Sequence, residues 1–195
     1  MPSAILGGRS VLTTHLQPSQ DGANGIGLPP LTLVLGGARS GISRFAEDAI
    51  ERATQPALYV ATAEPRDDEM RARIAAHRAR RGTHWTTIEE PIELVNVLLG
   101  EAARPVLVDC LTLWLSNLMG AGRDIGFEIE RLLSVLPQCP VPVVMVANEV
   151  GLGIVPDNAM AREFRDHAGR LNQGVARVAQ RVVFMAAGLP LSLKG

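Results

Sequence analysis

One stretch constrains what this chain can become: residues 31–44, LTLVLGGARSGISR. Residues 31–35 read as a buried strand that runs straight into glycine. A helix-compatible segment starts at Ile42 and continues to about residue 52. Strand, glycine-rich turn and helix together make a phosphate loop. Backbone N–H groups can converge on an anion there only where no Cβ intrudes. The helix adds its unpaired N-terminal donors and the positive end of its dipole. Gly36, four residues, Gly41, then Ile42 and Ser43 keep the loop's spacing, with Ser43 placed to offer a hydroxyl to Mg²⁺. One member departs, because Ile42 stands where the pattern asks for lysine. The stretch has the shape of the loop without its charge.

The segments that follow extend this start into an α/β sheet. Residues 57–62 form a second buried strand, and two strands joined by one helix make a parallel βαβ unit the default. Ligands of such sheets sit at the carboxyl ends of strands. That places Ala61, Thr62 and Ala63 beside the loop. Pro65 then opens a charged helix, with Asp67, Asp68 and Glu69 first and Arg71, Arg73, Arg78, Arg80 and Arg81 last. Acid-first and base-last suits the helix dipole, so charge alone points to a solvated helix. His77 lies in the basic half, where guanidinium neighbours favour the neutral, nucleophilic imidazole. A strand over 84–89 and a helix over 91–99 come next, with His84 beside Trp85 read as structural.

The strand over 105–109 ends on Asp109. An acid there, downstream of a phosphate loop, is where a magnesium-orienting carboxylate sits. The competing role is a cap for the helix over 111–119, and the upstream loop puts the magnesium role first. Cys110 and Trp114 read as core. A helix over 127–136 precedes a fifth strand over 141–146, whose start Pro142 demotes to an edge or entry. NEVGLGIVP, residues 148–156, then faces the ligand crevice. Residues 157–180 read as one long helix with a core stripe of Met160, Phe164, Ala168, Leu171, Val175 and Val178, and with His167 at the surface. A sixth strand over 181–186 and a hairpin arm over 189–193 end the chain.

Residues 31–195 are thus expected to form one nucleotide-binding domain. Residues 1–30, mixed in Gly, Pro, Ser, Gln and Asn and carrying His15, are expected to be a disordered extension. The formal net charge of −1 provides no basic field for nucleic acid. No apolar run approaches the roughly 20 residues a membrane helix needs. Cys110 and Cys139 form no metal or CxxC spacing, and a cytoplasmic home fits best.

Five motifs, LVLGGARSG, YVATAEPRDDEMRARIAAHRARR, LVDCLTLWLSNL, NEVGLGIVP and FRDHAGRLNQ, occur in this order between residues 33 and 173, within a resemblance that covers nearly everything from residue 31 to residue 194. Together they resemble the bifunctional adenosylcobinamide kinase / adenosylcobinamide-phosphate guanylyltransferase family of cobalamin synthesis. The resemblance implies a RecA-like P-loop sheet with helices on both faces, and a homotrimer. It implies phosphorylation of adenosylcobinamide by ATP or GTP, then transfer of GMP from GTP through a GMP-histidine on His77. It places nucleotide contacts on Gly36, Gly37, Ala38, Arg39, Ser40, Gly41, Ile42 and Ser43. Further contacts fall on Ala61, Thr62, Ala63, Arg78, Ala79, Arg80, Arg81, Glu89 and Asp109, with Ser43 and Asp109 sharing Mg²⁺.

Ile42 bears on the kinase half. The P-loop lysine reaches the β- and γ-phosphates, and losing such a contact costs on the order of 10²–10³ in rate, by analogy with oxyanion-hole donors. Arg39 or Arg44 is the nearest substitute in sequence. The alternative that Ile42 opens is a nucleotide- or corrinoid-binding pseudoenzyme. A generic P-loop ATPase switch accounts for the loop but not for the His77 helix or NEVGLGIVP.

Overall fold

The computed structural model describes residues 27–53, 56–65, 67–100 and 103–195, and only the backbone at Arg73 and Arg80. The expectation for the extension lies outside these residues up to position 26. Just before the first strand, Leu28 packs against buried residues and the Pro30 carbonyl accepts from Val143 N at 2.9 Å.

Among the described residues seven strands form one sheet: β1 (Leu31–Gly36), β2 (Ala57–Ala61), β3 (Trp85–Glu89), β4 (Val106–Asp109), β5 (Val143–Asn148), β6 (Arg181–Ala186) and β7 (Leu189–Lys194). Their order is β3-β2-β4-β5-β1-β6-β7. Every pairing is parallel except β6 with β7. The helices are α1 (Ile42–Ala53), α2 (Asp68–Arg80), α3 (Leu94–Gly100), α4 (Leu111–Gly120), α5 (Ile125–Val135) and α6 (Ala159–Val178). All six residues of β1 are buried, as a parallel strand covered on both faces must be. Alternation splits its side chains. Leu31, Leu33 and Leu35 join the larger core under α3–α6, and Val34 joins the smaller core under α1 with Ile42, Ala46 and Ile50. This is the expected RecA-like P-loop architecture. Among the described residues no helix is long and apolar enough to cross a membrane.

Local chemistry moves several boundaries. Helix α3 starts at Leu94 rather than residue 91, because the Glu90 carboxylate accepts from Ile92 N and Glu93 N at 2.9 and 2.8 Å and holds a turn there. Helix α5 starts at Ile125, capped by Asp124 Oδ1 accepting from Phe127 N. Strand β5 begins after Pro142, which has no N–H to donate, and continues to Asn148. The core stripe of α6 loses one expected member. Ala168, Leu171 and Val175 are buried, but Met160 is 75% exposed. Met160 occupies the first turn after the Asn158 cap, before the helix reaches α4 and α5.

Candidate active site

The loop between β1 and α1 is closed tightly. A Cβ built on Gly36 would sit 2.5 Å from Ser40 Oγ and 2.7 Å from the Met185 carbonyl, so nothing larger than glycine fits. Gly41 has φ +97° and Arg39 has φ 60°, and glycine takes that backbone region freely. The β6–β7 turn braces the loop, with Gly188 N donating to the Ser40 carbonyl at 3.0 Å. Ser40 Oγ is buried without a hydrogen-bond partner among the described residues.

Beside the loop lies a cavity of about 520 Å³. Ala38, Arg39, Gly41, Ile42, Ser43 and Arg44 form one wall. Tyr59, Ala61, Asp109 and Asn148 contribute the carboxyl halves of β2, β4 and β5, and Ala63, two residues past β2, adds to them. The third wall is α2 and its end: Met70, Ile74, His77 and Arg81. Their spacing of four, three and four residues is one helical face. Charge alone points to a solvated helix, and the outer face is solvated: Arg71 is 56% exposed and pairs with Asp68. The inner face is a wall of the cavity. Its signal is present in the sequence as two apolar residues in register with a histidine.

The cavity gathers some of the expected contacts and leaves others out. Ala38, Arg39, Gly41, Ile42, Ser43, Ala61, Ala63, His77, Arg81 and Asp109 line it. Gly36, Gly37 and Ser40 shape the loop behind it. Thr62 is fully buried, and its hydroxyl donates to the Cys110 carbonyl at 2.7 Å and accepts from Cys110 N at 2.8 Å. It clamps β2 to the start of α4. Arg78 and Glu89 pair with each other at 3.1 Å away from the cavity, Ala79 is exposed, and of Arg80 only the helical backbone is described. Tyr59, missed by the sequence reading, lines the floor. It lies two residues before Ala61, on the same face of β2.

Two buried groups set the electrostatics. Burial, and then the Asp109 carboxylate, push the Cys110 thiol up to about 12, so it stays neutral and is a poor nucleophile. Burial first, then Asp109, push the Tyr59 phenol upward. Tyr59 therefore keeps its proton and donates it to Asp109 Oδ2 at 2.7 Å. His84 is structural, as read, with Nε2 3.0 Å from Glu51 Oε1, which also accepts from Trp85 Nε1 at 2.9 Å. His167 lies 3.7 Å from Glu163 on α6.

Residues 32–193 match the family described as cobinamide kinase / cobinamide phosphate guanyltransferase. The chain belongs to this family. It is 48% identical over 167 residues to the bifunctional adenosylcobalamin biosynthesis protein CobP of Pseudomonas aeruginosa, covering 84% of this chain and 96% of that one. It is 40% identical over 181 residues to the CobU protein of the same description from Escherichia coli, covering 84% and 99%. Among solved structures it is similar to the RadB recombinase, at 15% identity and a TM-score of 0.42, covering 80% of this chain and 74% of that one. In this member of the family the glycine-rich loop after β1 and the His77 face of α2 open onto one cavity.

Proposed function

We propose that this chain phosphorylates adenosylcobinamide and then transfers GMP from GTP onto the resulting phosphate, giving adenosylcobinamide-GDP. The observation that carries the reading is the placement of His77 on the cavity-facing stripe of α2, across from the phosphate loop. A ring nitrogen of His77 attacks the α-phosphorus of GTP. The N–P bond forms, the bond from the α-phosphorus to the bridging oxygen breaks, and pyrophosphate leaves. An oxygen of the cobinamide phosphate then attacks the same phosphorus and displaces the histidine. One difficult transfer becomes two easier ones. Arg81, facing the same space, is the cation for the leaving pyrophosphate, since a guanidinium matches phosphate oxygens in a bidentate fork.

Ser43 and Asp109 suit Mg²⁺: a hydroxyl and a carboxylate are hard oxygen donors, and Mg²⁺ takes one or two carboxylates and shares the substrate's phosphates. Bound there, it would offset charge on the β- and γ-phosphates. ATP or GTP serves as phosphoryl donor. Ile42 leaves the loop its backbone donors but not its cation, so the phosphorylation step is expected to be the slower of the two. A binding protein without turnover would explain Ile42. It would leave a histidine facing a phosphate loop without a purpose.

The test is incubation with GTP labelled at the α-phosphorus. Acid-labile label should appear on the chain, and pyrophosphate should remove it. A chain that binds GTP and takes up no label would overturn the histidine route. The homotrimer carried by the family resemblance is supported by exposed Leu152, Ile154, Val155 and Met160. So much clustered apolar surface is what an assembly would cover. Sedimentation at equilibrium should give three times the chain mass. A cytoplasmic home is the reading that the cysteine spacing supports.

A further inference from the structure

Tyr59 stands in the middle of β2 with 3% of its surface exposed, between Arg81 and Asp109 of the cavity lining. Its hydroxyl donates to Asp109 Oδ2 at 2.7 Å. The register explains the reach: Ala61 on β2 lies opposite Asp109 on β4, and Tyr59 is two residues back on the same face. Its ring lies under Arg81, whose guanidinium carbon is 3.6 Å from the ring centroid. Trp85 meets the ring edge-on, 5.8 Å between centroids at 85°, and is itself tied to Glu51. The ring is therefore held on both sides.

Arg81 is also anchored by hydrogen bonds. Its Nη1 donates to Thr87 Oγ1 at 3.0 Å, and its Nε donates to the carbonyl of His77 at 3.2 Å. Thr87 lies directly opposite Tyr59 in the β2–β3 register. Arg81 thus links the backbone of His77 to the surface made by Tyr59 and Thr87. One side chain, Tyr59, therefore contacts both the carboxylate expected to face the metal and the arginine that seats the end of α2 carrying His77.

We propose that Tyr59 is a positioning residue with two separable parts. The phenol orients Asp109 toward Mg²⁺, and the ring face seats Arg81 and, through it, His77. The proposal rests on the functional reading above. A buried phenol that only satisfied itself would need an acceptor, but it would not need that acceptor to be Asp109 of the cavity or its ring to lie under Arg81.

Three variants separate the parts. Tyr59→Phe keeps the ring and removes the hydroxyl. Tyr59→Leu removes both, and Thr87→Val loosens Arg81 alone. Binding of α-labelled GTP by equilibrium dialysis across a Mg²⁺ series should show Tyr59→Phe needing about tenfold more Mg²⁺, the size expected when a partner of a metal-binding group is lost. Asp109→Asn should shift in the same direction, and Thr87→Val should not shift. Saturating Mg²⁺ should recover histidine labelling in Tyr59→Phe but not in Tyr59→Leu, while Thr87→Val should label more slowly at every Mg²⁺ concentration. An unchanged Mg²⁺ requirement in Tyr59→Phe, or equal labelling rates in the Phe and Leu variants at saturating Mg²⁺, would overturn the proposal. Thermal melts of all three accompany the series, and equal losses of stability with no Mg²⁺ shift would leave Tyr59 a packing residue only. The unaltered chain separates the two readings. GTP binding without label removes the histidine route and leaves the Mg²⁺ arm standing, whereas no Mg²⁺-dependent GTP binding removes both.

Discussion

Arg78 Nη1 on α2 and Glu89 Oε1 at the end of β3 stand 3.1 Å apart, each side chain more than half exposed. Two residues expected at the nucleotide therefore satisfy each other, while Arg81 turns into the cavity. Arg78→Ala should change the rate of histidine labelling by less than about threefold and stability by no more than ~1 kcal/mol, the range of exposed ion pairs. Arg81→Ala should slow labelling by about tenfold or more, since a charge-assisted contact to phosphate is lost. Single-turnover labelling with both variants checks this, and the reverse order would reassign the pyrophosphate cation.

The histidines divide in the same way. His77→Ala should abolish covalent label from GTP. His84→Ala and His167→Ala should keep it, because these side chains turn to Glu51 and Glu163. Label that survives in the His77 variant would move the nucleophile elsewhere.

Ile42 is only 8% exposed and packs in the core with Val34, Ala46 and Ile50 while also touching the cavity. Ile42→Lys should raise the phosphorylation rate at least tenfold, about 1.4 kcal/mol of transition-state stabilisation. Guanylyl transfer should gain less. The same variant should melt earlier, since an ammonium cannot stay in an apolar cluster and its removal leaves a packing defect of ~1 kcal/mol or more. Equal gains in both rates would mean that the residue acts only by holding the nucleotide. Full phosphorylation in the unaltered chain would mean that Arg39 in the loop or Arg44 in the first turn of α1 already supplies the charge.

Glu51 is a stability test away from the chemistry. Its Oε1 faces both Trp85 Nε1 and His84 Nε2. Glu51→Ala strands the indole N–H of a side chain that is 8% exposed, at a cost of about 1–3 kcal/mol. Urea unfolding of the variant should read that loss, with GTP binding retained at low denaturant.

Much of this was legible along the chain. The central strands β1, β2, β4 and β5 reached their places because each is an apolar run covered on both faces, and β6 matches its expected span residue for residue. Helix starts were less legible. Glu90 and Asp124 decide them through side-chain bonds to a few N–H groups, which periodicity does not register. The loop, His77 and Asp109 were readable as candidates because their residue types carry chemistry. Which arginine turns inward was not, since it depends on the phase of α2 against the sheet. Tyr59 was invisible for a related reason. In one dimension it is another apolar residue of a buried strand, and only the lateral register brings it to Asp109 and Arg81.

The placement of β1 sets an order of events during synthesis. The strand that ends in the phosphate loop emerges early, yet its two neighbours in the sheet are β5 and β6. Leu31 pairs with Val143, and Thr32 with Arg181. The loop's brace comes later still, from Gly188. A nascent chain holds its nucleotide-binding stretch without the strands that shape it until β5 and β6 have been made, and pairings this distant in sequence form slowly. Polypeptides released before residue 143 should therefore have no affinity for GTP, and those released between β5 and β6 should have little. Nucleotide is then bound by finished chains and not by fragments.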